Sequence, residues 1–203
     1  MMRVQIVLDP PEIEEDGLEL RLTREQYRVF CSANPDLRIE RLASGSVIIK
    51  PPARSRTGVQ NASLTAQLAR WSEMDGQGVA FDSSTGFHLP NGANRAPDAA
   101  WVLKARIKAL SEEERAEYFP LSPDFVIELR SKSDRLPTLK DKMQEYMDNG
   151  TRLGWLIDPL TRSVYVYRPG RPVETLANPL TLSGDPELPG FQLELTLVWN
   201  PGV

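Results

Sequence analysis

Two acidic residues stand inside otherwise apolar, strand-like runs: Asp98 in Pro97-Asp98-Ala99-Ala100-Trp101-Val102-Leu103, and Glu128 in Asp124-Phe125-Val126-Ile127-Glu128-Leu129-Arg130. A carboxylate inside a buried strand is costly unless a cation or hydrogen-bond donors neutralise it. Any fold for this chain must therefore give both acids such a partner, and a divalent metal ion is the simplest one.

A second pattern sharpens this expectation. The segment Leu136 to Asn149 reads as an amphipathic helix with Leu139, Met143, Tyr146 and Met147 on its apolar stripe. Lys142 falls on the edge of that stripe, about 40° from Tyr146 at helical spacing, from where it can reach the sheet. Two acids that hold a divalent ion, with a lysine that stabilises charge or orients water, make up a metal-dependent phosphodiesterase site.

The 203 residues, 40% hydrophobic and 26% charged, suit one globular domain with a sizeable core. We expect residues 1–20, with scattered acids and Pro10-Pro11, to form a weakly specified arm, and residues 21–203 a single domain. The sequence has no apolar run long enough to span a bilayer and no secretory-leader pattern at its start, so a cytoplasmic protein that avoids membranes is expected. The lone Cys31 fits a reducing compartment and reads as packed, and the lone His88 excludes metal sites built from several imidazoles. A formal charge of −4 argues against broad adhesion to nucleic acid but permits a local basic cleft.

Along the chain, Thr23 looks like the N-cap of a helix to Ala33, ended by Asn34-Pro35. Strands are expected over Leu37–Leu42 and Val47–Lys50 about a hairpin turn, then a helix from Thr57 stopped by Gly76. Val79–Phe81 and Phe87–Leu89 read as strands, Asn91-Gly92 as a turn, and Ser111 with Glu114 as a capping box. Leu153–Ile157 reads as a central strand and Ser163–Tyr167 as an outer one, with only short edge strands in the proline-rich remainder. The order predicts an α/β or α+β fold, a mixed sheet flanked by helices.

At these residues the chain resembles the Uma-two family of restriction-endonuclease-like proteins, within the PD-(D/E)XK nuclease superfamily. The matching stretches are Ile39-Glu40-Arg41, Phe81 to Phe87, Leu89-Pro90-Asn91-Gly92, Pro97 to Val102, Pro123 to Leu129, and Lys142-Met143 through Gly154 to Pro159, within roughly residues 35 to 170. The resemblance implies that Asp98 is the motif aspartate, Glu128 the second metal-binding acid and Glu40 an upstream acid acting directly or through water. Arg130 stands where the superfamily pattern places a lysine, and guanidinium is a poor substitute for a water-orienting amine. The resemblance implies instead that the lysine has moved to the following helix, where it corresponds to Lys142.

The function so implied is a magnesium- or manganese-dependent endonuclease acting on DNA, with Asp98, Glu128 and the Leu129 carbonyl as oxygen donors and a homodimer suited to cutting both strands. Its competitor is a nuclease-like binding or interaction module without turnover; a two-carboxylate glycosidase leaves Lys142 without a role. Each residue also has a plainer reading. Asp98 is a strand-end acid that caps the turn or pairs with Arg95, Glu128 sits in a buried ion pair with a neighbouring arginine, Lys142 snorkels with Lys140 as its rival, and Asp82 is a local cap. Arg54, Arg56, Arg130 and Lys132 are available for phosphate contacts, while Trp71, Trp101 and Trp155 belong to the core.

Overall fold

The computed structural model describes residues 20–203, so the arm expected over residues 1–20 lies, apart from Leu20, outside the described residues. Helix α1 (Arg24–Ala33) begins at Thr23, whose hydroxyl accepts from the Gln26 N–H while the Gln26 side chain reaches back to the Thr23 N–H. This reciprocal cap satisfies two of the helix's orphan donors. Strands β1 (Arg38–Arg41) and β2 (Val47–Lys50) form the expected hairpin, with Glu40 opposite Ile48. Helix α2 (Ser55–Asp75) starts two residues earlier than expected and stops where Gly76 takes φ +69°. An L side chain is disfavoured there, which is why glycine ends the helix.

The chain continues through β3 (Gly78–Asp82), β4 (Phe87–His88), β5 (Asn94–Arg95) and β6 (Ala99–Leu103), then the short helices α3 (Lys104–Lys108) and α4 (Glu112–Ala116). Ser111 and Glu114 close the predicted capping box. Next come β7 (Phe125–Leu129), α5 (Leu136–Asp148), β8 (Leu153–Asp158) and β9 (Ser163–Tyr167). The chain ends with β10 (Glu174–Ala177), β11 (Thr181–Ser183), β12 (Gln192–Glu194) and α6 (Thr196–Trp199).

A six-stranded sheet ordered β10-β9-β8-β7-β6-β3 forms the body, and β7 and β8 are its parallel pair, joined by the α5 crossover. A four-stranded sheet ordered β2-β1-β5-β4 stands beside it, and β11 and β12 make a separate ribbon. This is the mixed α+β architecture the sequence predicts. Period-two alternation divides the core: Phe125, Ile127 and Leu129 face a cluster with Leu64, Leu68 and Trp199, whereas Val126 faces Met143, Tyr146 and Phe87. Glu128 therefore belongs to the α5 face. Gly154 in β8 faces α5, and a Cβ there would lie 2.5 Å from Met143 Cε, so a larger residue would have to displace the methionine tips.

Two details depart from the sequence reading. Ser163–Tyr167 is not outermost, because exposed β10 pairs along its free edge. Asp98 lies just before β6 rather than inside it, at the sheet's end, and is half-buried.

Candidate functional site

Extending the β6/β7 register, in which Ala99 opposes Ile127, sets Asp98 opposite Glu128 on neighbouring strands. Like charges in directly opposed positions destabilise a sheet, so the pair needs compensation. Asp98 receives it from donors: Oδ2 accepts from the Leu129 N–H at 2.8 Å and Oδ1 from the Asn61 amide at 3.1 Å. Glu128, 2% exposed, receives the Tyr146 hydroxyl at 3.1 Å and lies in ion-pair contact with Lys142 at 2.6 Å, both at Oε1. Its Oε2 accepts no hydrogen bond among the described residues, and the residue lines a cleft.

The structure brings all four predicted site residues together. Lys142 Nζ also donates to Glu40 Oε1 at 2.9 Å and to the Ala96 carbonyl at 3.3 Å, and its side chain is 6% exposed. Glu40 is further held by Lys50 at 2.8 Å and Arg95 at 3.2 Å, and Arg95 bridges on to Glu145 at 2.5 Å. Arg95 thus pairs with Glu40 and Glu145 instead of Asp98. The ion cluster joins the small sheet (Glu40, Lys50, Arg95), helix α5 (Lys142, Glu145, Tyr146) and the main sheet (Glu128).

Burial pushes the Glu128 carboxyl above the usual carboxylate range; Lys142 opposes this, while Asp98 and Glu40 add to the rise. Burial would raise Glu40 too, but Lys142, Lys50 and Arg95 together outweigh it and hold this carboxyl far below the usual range. For Lys50, burial disfavours the ammonium, yet Glu40, Glu128 and Asp98 prevail and keep its proton more firmly bound than usual. The Tyr146 hydroxyl is pushed well up by burial and by Glu128.

Two clefts, of about 550 and 490 Å³, share Arg38, Lys50 and Asp98 in their walls. Arg54, Arg56 and Lys132 line the second with Asn61 and Glu128, so three of the four residues singled out for phosphate contact ring the acid pair. The fourth, Arg130, is turned away into an ion pair with buried Asp158 at 2.8 Å. Lys140 lies over the Tyr165 ring at 4.2 Å, and Asp82 caps its own turn through Ser84. His88 packs edge-on against Tyr118 and bonds Asn94, Cys31 is half-buried, and all three singled-out tryptophans are in the core.

Sequence reasoning missed Lys50, Arg95's true partners and Asn61. Lys50 had a legible signal: two residues beyond Ile48, it lies on the same hairpin face as Glu40 and within diagonal reach. Asn61, a polar residue in the middle of α2, carries no sequence sign of its role. Its amide donates to Asp98, which fixes the orientation of the group and leaves Oδ1 buried without a partner.

These groups fit a small divalent cation. Among the described residues no set of three or more His, Cys, Asp or Glu is arranged as a metal cage. A magnesium-type ion, however, commonly rests on one or two carboxylates and keeps its waters. Each Asp98 oxygen retains a lone pair beyond its one donor, Glu128 Oε2 is available, and Asn61 Oδ1 is a buried acceptor beside them, suited to a water proton.

The sheet order, the α5 crossover and the opposed acids define a restriction-endonuclease-like fold. Residues 24–197 match the family model Uma2, described as "Putative restriction endonuclease". The chain belongs to the Uma2 family. A solved structure described as "a putative nuclease belonging to DUF820 from Anabaena variabilis ATCC 29413" is similar in fold, with a TM-score of 0.75 and 21% identity over 88% of this chain and 97% of that one. No curated protein matches the chain. Among the described residues, no helix is long and apolar enough to cross a membrane.

Proposed function

We propose that this protein is a metal-dependent endonuclease that hydrolyses DNA phosphodiester bonds. The observation that carries the reading is the opposed Asp98–Glu128 pair in a cleft walled by Arg38, Arg54, Arg56 and Lys132. Basic side chains around an acidic floor attract a phosphate backbone while reserving the floor for a cation. Asp98 and Glu128 would hold magnesium or manganese, with Leu129's carbonyl as a further oxygen donor. When bound, the ion supplies Lewis-acid stabilisation of charge on the phosphate and a more acidic water.

The chain's own groups prepare this site. Asn61 and the Leu129 N–H orient Asp98, and Tyr146 and Lys142 orient Glu128. Glu40 acts indirectly by anchoring Lys142. Cutting both strands of a duplex calls for two such sites, and a C2 homodimer supplies them.

The direct Lys142–Glu128 contact favours a second reading, because it neutralises the buried acid without an ion. In that case the protein is a nuclease-like binding module. Calorimetry with magnesium or manganese on wild type and Glu128→Ala, followed by incubation with supercoiled and single-stranded DNA, separates the two. Binding and cleavage lost together in the variant support the nuclease; a folded wild type that binds no metal leaves the binding module.

A further inference from the structure

The cluster contains two lysines, and their surroundings divide the work between them. The Lys142 ammonium is enclosed by Glu40 Oε1 at 2.9 Å, Glu128 Oε1 at 2.6 Å and the Ala96 carbonyl at 3.3 Å, and its side chain is 6% exposed. An ammonium has three protons, and three acceptors already surround this one. It lines neither cleft. Lys50 differs in each respect. Among the described residues its Nζ has one acceptor, Glu40 Oε1 at 2.8 Å, its side chain is 41% exposed, and it lines both clefts beside Asp98.

The backbone explains this placement. Glu40 and Lys50 share a face of the β1–β2 hairpin, so their ion pair fixes the lysine stem. Pro51 and Pro52 then stop the strand, because proline brings no N–H to the ladder, and Lys50 is left at the cleft mouth.

Resting on the nuclease reading above, we propose that Lys50, rather than Lys142, is the catalytic lysine: its ammonium donates to a non-bridging oxygen of the scissile phosphate, while Lys142 is a positioning residue for Glu40 and Glu128. In the step it assists, a water oxygen bonds to phosphorus as the bond from phosphorus to the leaving ester oxygen breaks. The water releases one proton to solvent, the leaving oxygen takes one up, and Lys50 stays an ammonium throughout. Its two free N–H groups stabilise charge as it accumulates on the phosphoryl oxygens.

The test uses the full chain as wild type, Lys50→Met and Lys50→Arg. Manganese alone is titrated by calorimetry, and cleavage of supercoiled and single-stranded DNA is followed at saturating manganese over a range of DNA concentrations. Methionine keeps the stem, and Glu40 keeps Lys142 and Arg95. Lys50→Met is expected to bind manganese at least as tightly as wild type, since a cation beside the acids is gone, and to lose about 10²- to 10³-fold in kcat with KM little changed. Lys50→Arg, which still offers donors to a phosphate, recovers part of that rate. Lys50→Met cutting at the wild-type rate overturns the assignment of Lys50 and leaves the nuclease reading standing. Wild type that binds no manganese or cuts neither DNA overturns both. Should Lys50→Met not fold, Lys50→Gln replaces it under the same criteria.

Discussion

Replacing Lys142 by methionine should unfold the protein in a pH-dependent way, because the two acids it touches are unequally supported without it. Glu40 keeps Lys50 and Arg95 in direct contact, whereas Glu128 keeps the Tyr146 hydroxyl and, among the described residues, only the through-space charge of Lys50 in support. Removing one partner of a buried ion pair costs about 3–5 kcal/mol when the other must stay charged. Glu128 can avoid part of that by taking a proton. Its folded carboxyl is already raised, chiefly by burial, and Lys142 is the largest influence holding it down, so the variant raises it further.

Between the unfolded carboxyl value and the raised folded one, the folded state then binds more protons, so stability falls as pH increases, by up to about 1.4 kcal/mol per pH unit. Urea unfolding in EDTA at a series of pH values from about 5 to about 8 measures the effect. The loss relative to wild type should be small at the acid end and approach the full cost at the alkaline end. Lys142→Met combined with Glu128→Gln should recover most of it, since no charge is then stranded. A loss independent of pH, or no recovery in the double variant, refutes this account of the cluster.

Glu40 gives the opposite dependence: its depressed carboxyl contributes stability above the ordinary carboxylate range and loses it only as pH falls through the folded value. Glu40→Gln should therefore destabilise most near neutrality and converge on wild type in strong acid, as read by urea midpoints. Gly78→Ala would put a Cβ 2.1 Å from the rigid Trp101 ring and should cost about 1–3 kcal/mol in the same assay without altering manganese affinity. Neutralising Arg54 or Lys132 should weaken DNA binding evenly across sequences and reduce the slope of log K against log salt by about 1 for each charge, measured by fluorescence anisotropy.

The acids that stand out in the sequence are those set in apolar runs: Glu128 reaches the site because strand alternation leaves it no other face, and Asp98 because it enters β6 directly opposite. Lys142 was legible for a similar reason, sitting beside a helical stripe whose burial is dictated by period. Helix α1 was legible from local chemistry alone, since Thr23 and Gln26 complete their cap within one turn. What could not be read are the long-range consequences of pairing. Arg95 stands close to Asp98 in sequence, yet the small sheet carries it to Glu40 and Glu145. Lys50 becomes a cleft residue only once the hairpin register is set, and Asn61 acquires its role only when α2 packs across the end of β6. Strand β10 is one of the short edge strands expected in the proline-rich remainder, but its pairing on β9, which moves Ser163–Tyr167 inward, was not legible.

The clasp between the two sheets also bears on how such a site changes over generations. Glu40, Arg95, Lys142 and Glu128 hold the small sheet to the main one, so selection for a folded chain preserves them whether or not DNA is cut. Asp98 is different: its bonds are to one amide side chain and one backbone N–H at the sheet's end, and little of the fold depends on its charge. Lineages that abandon cleavage should therefore lose Asp98 early and keep the clasp, so that identity at Asp98 separates working copies from retired ones better than identity at any clasp residue.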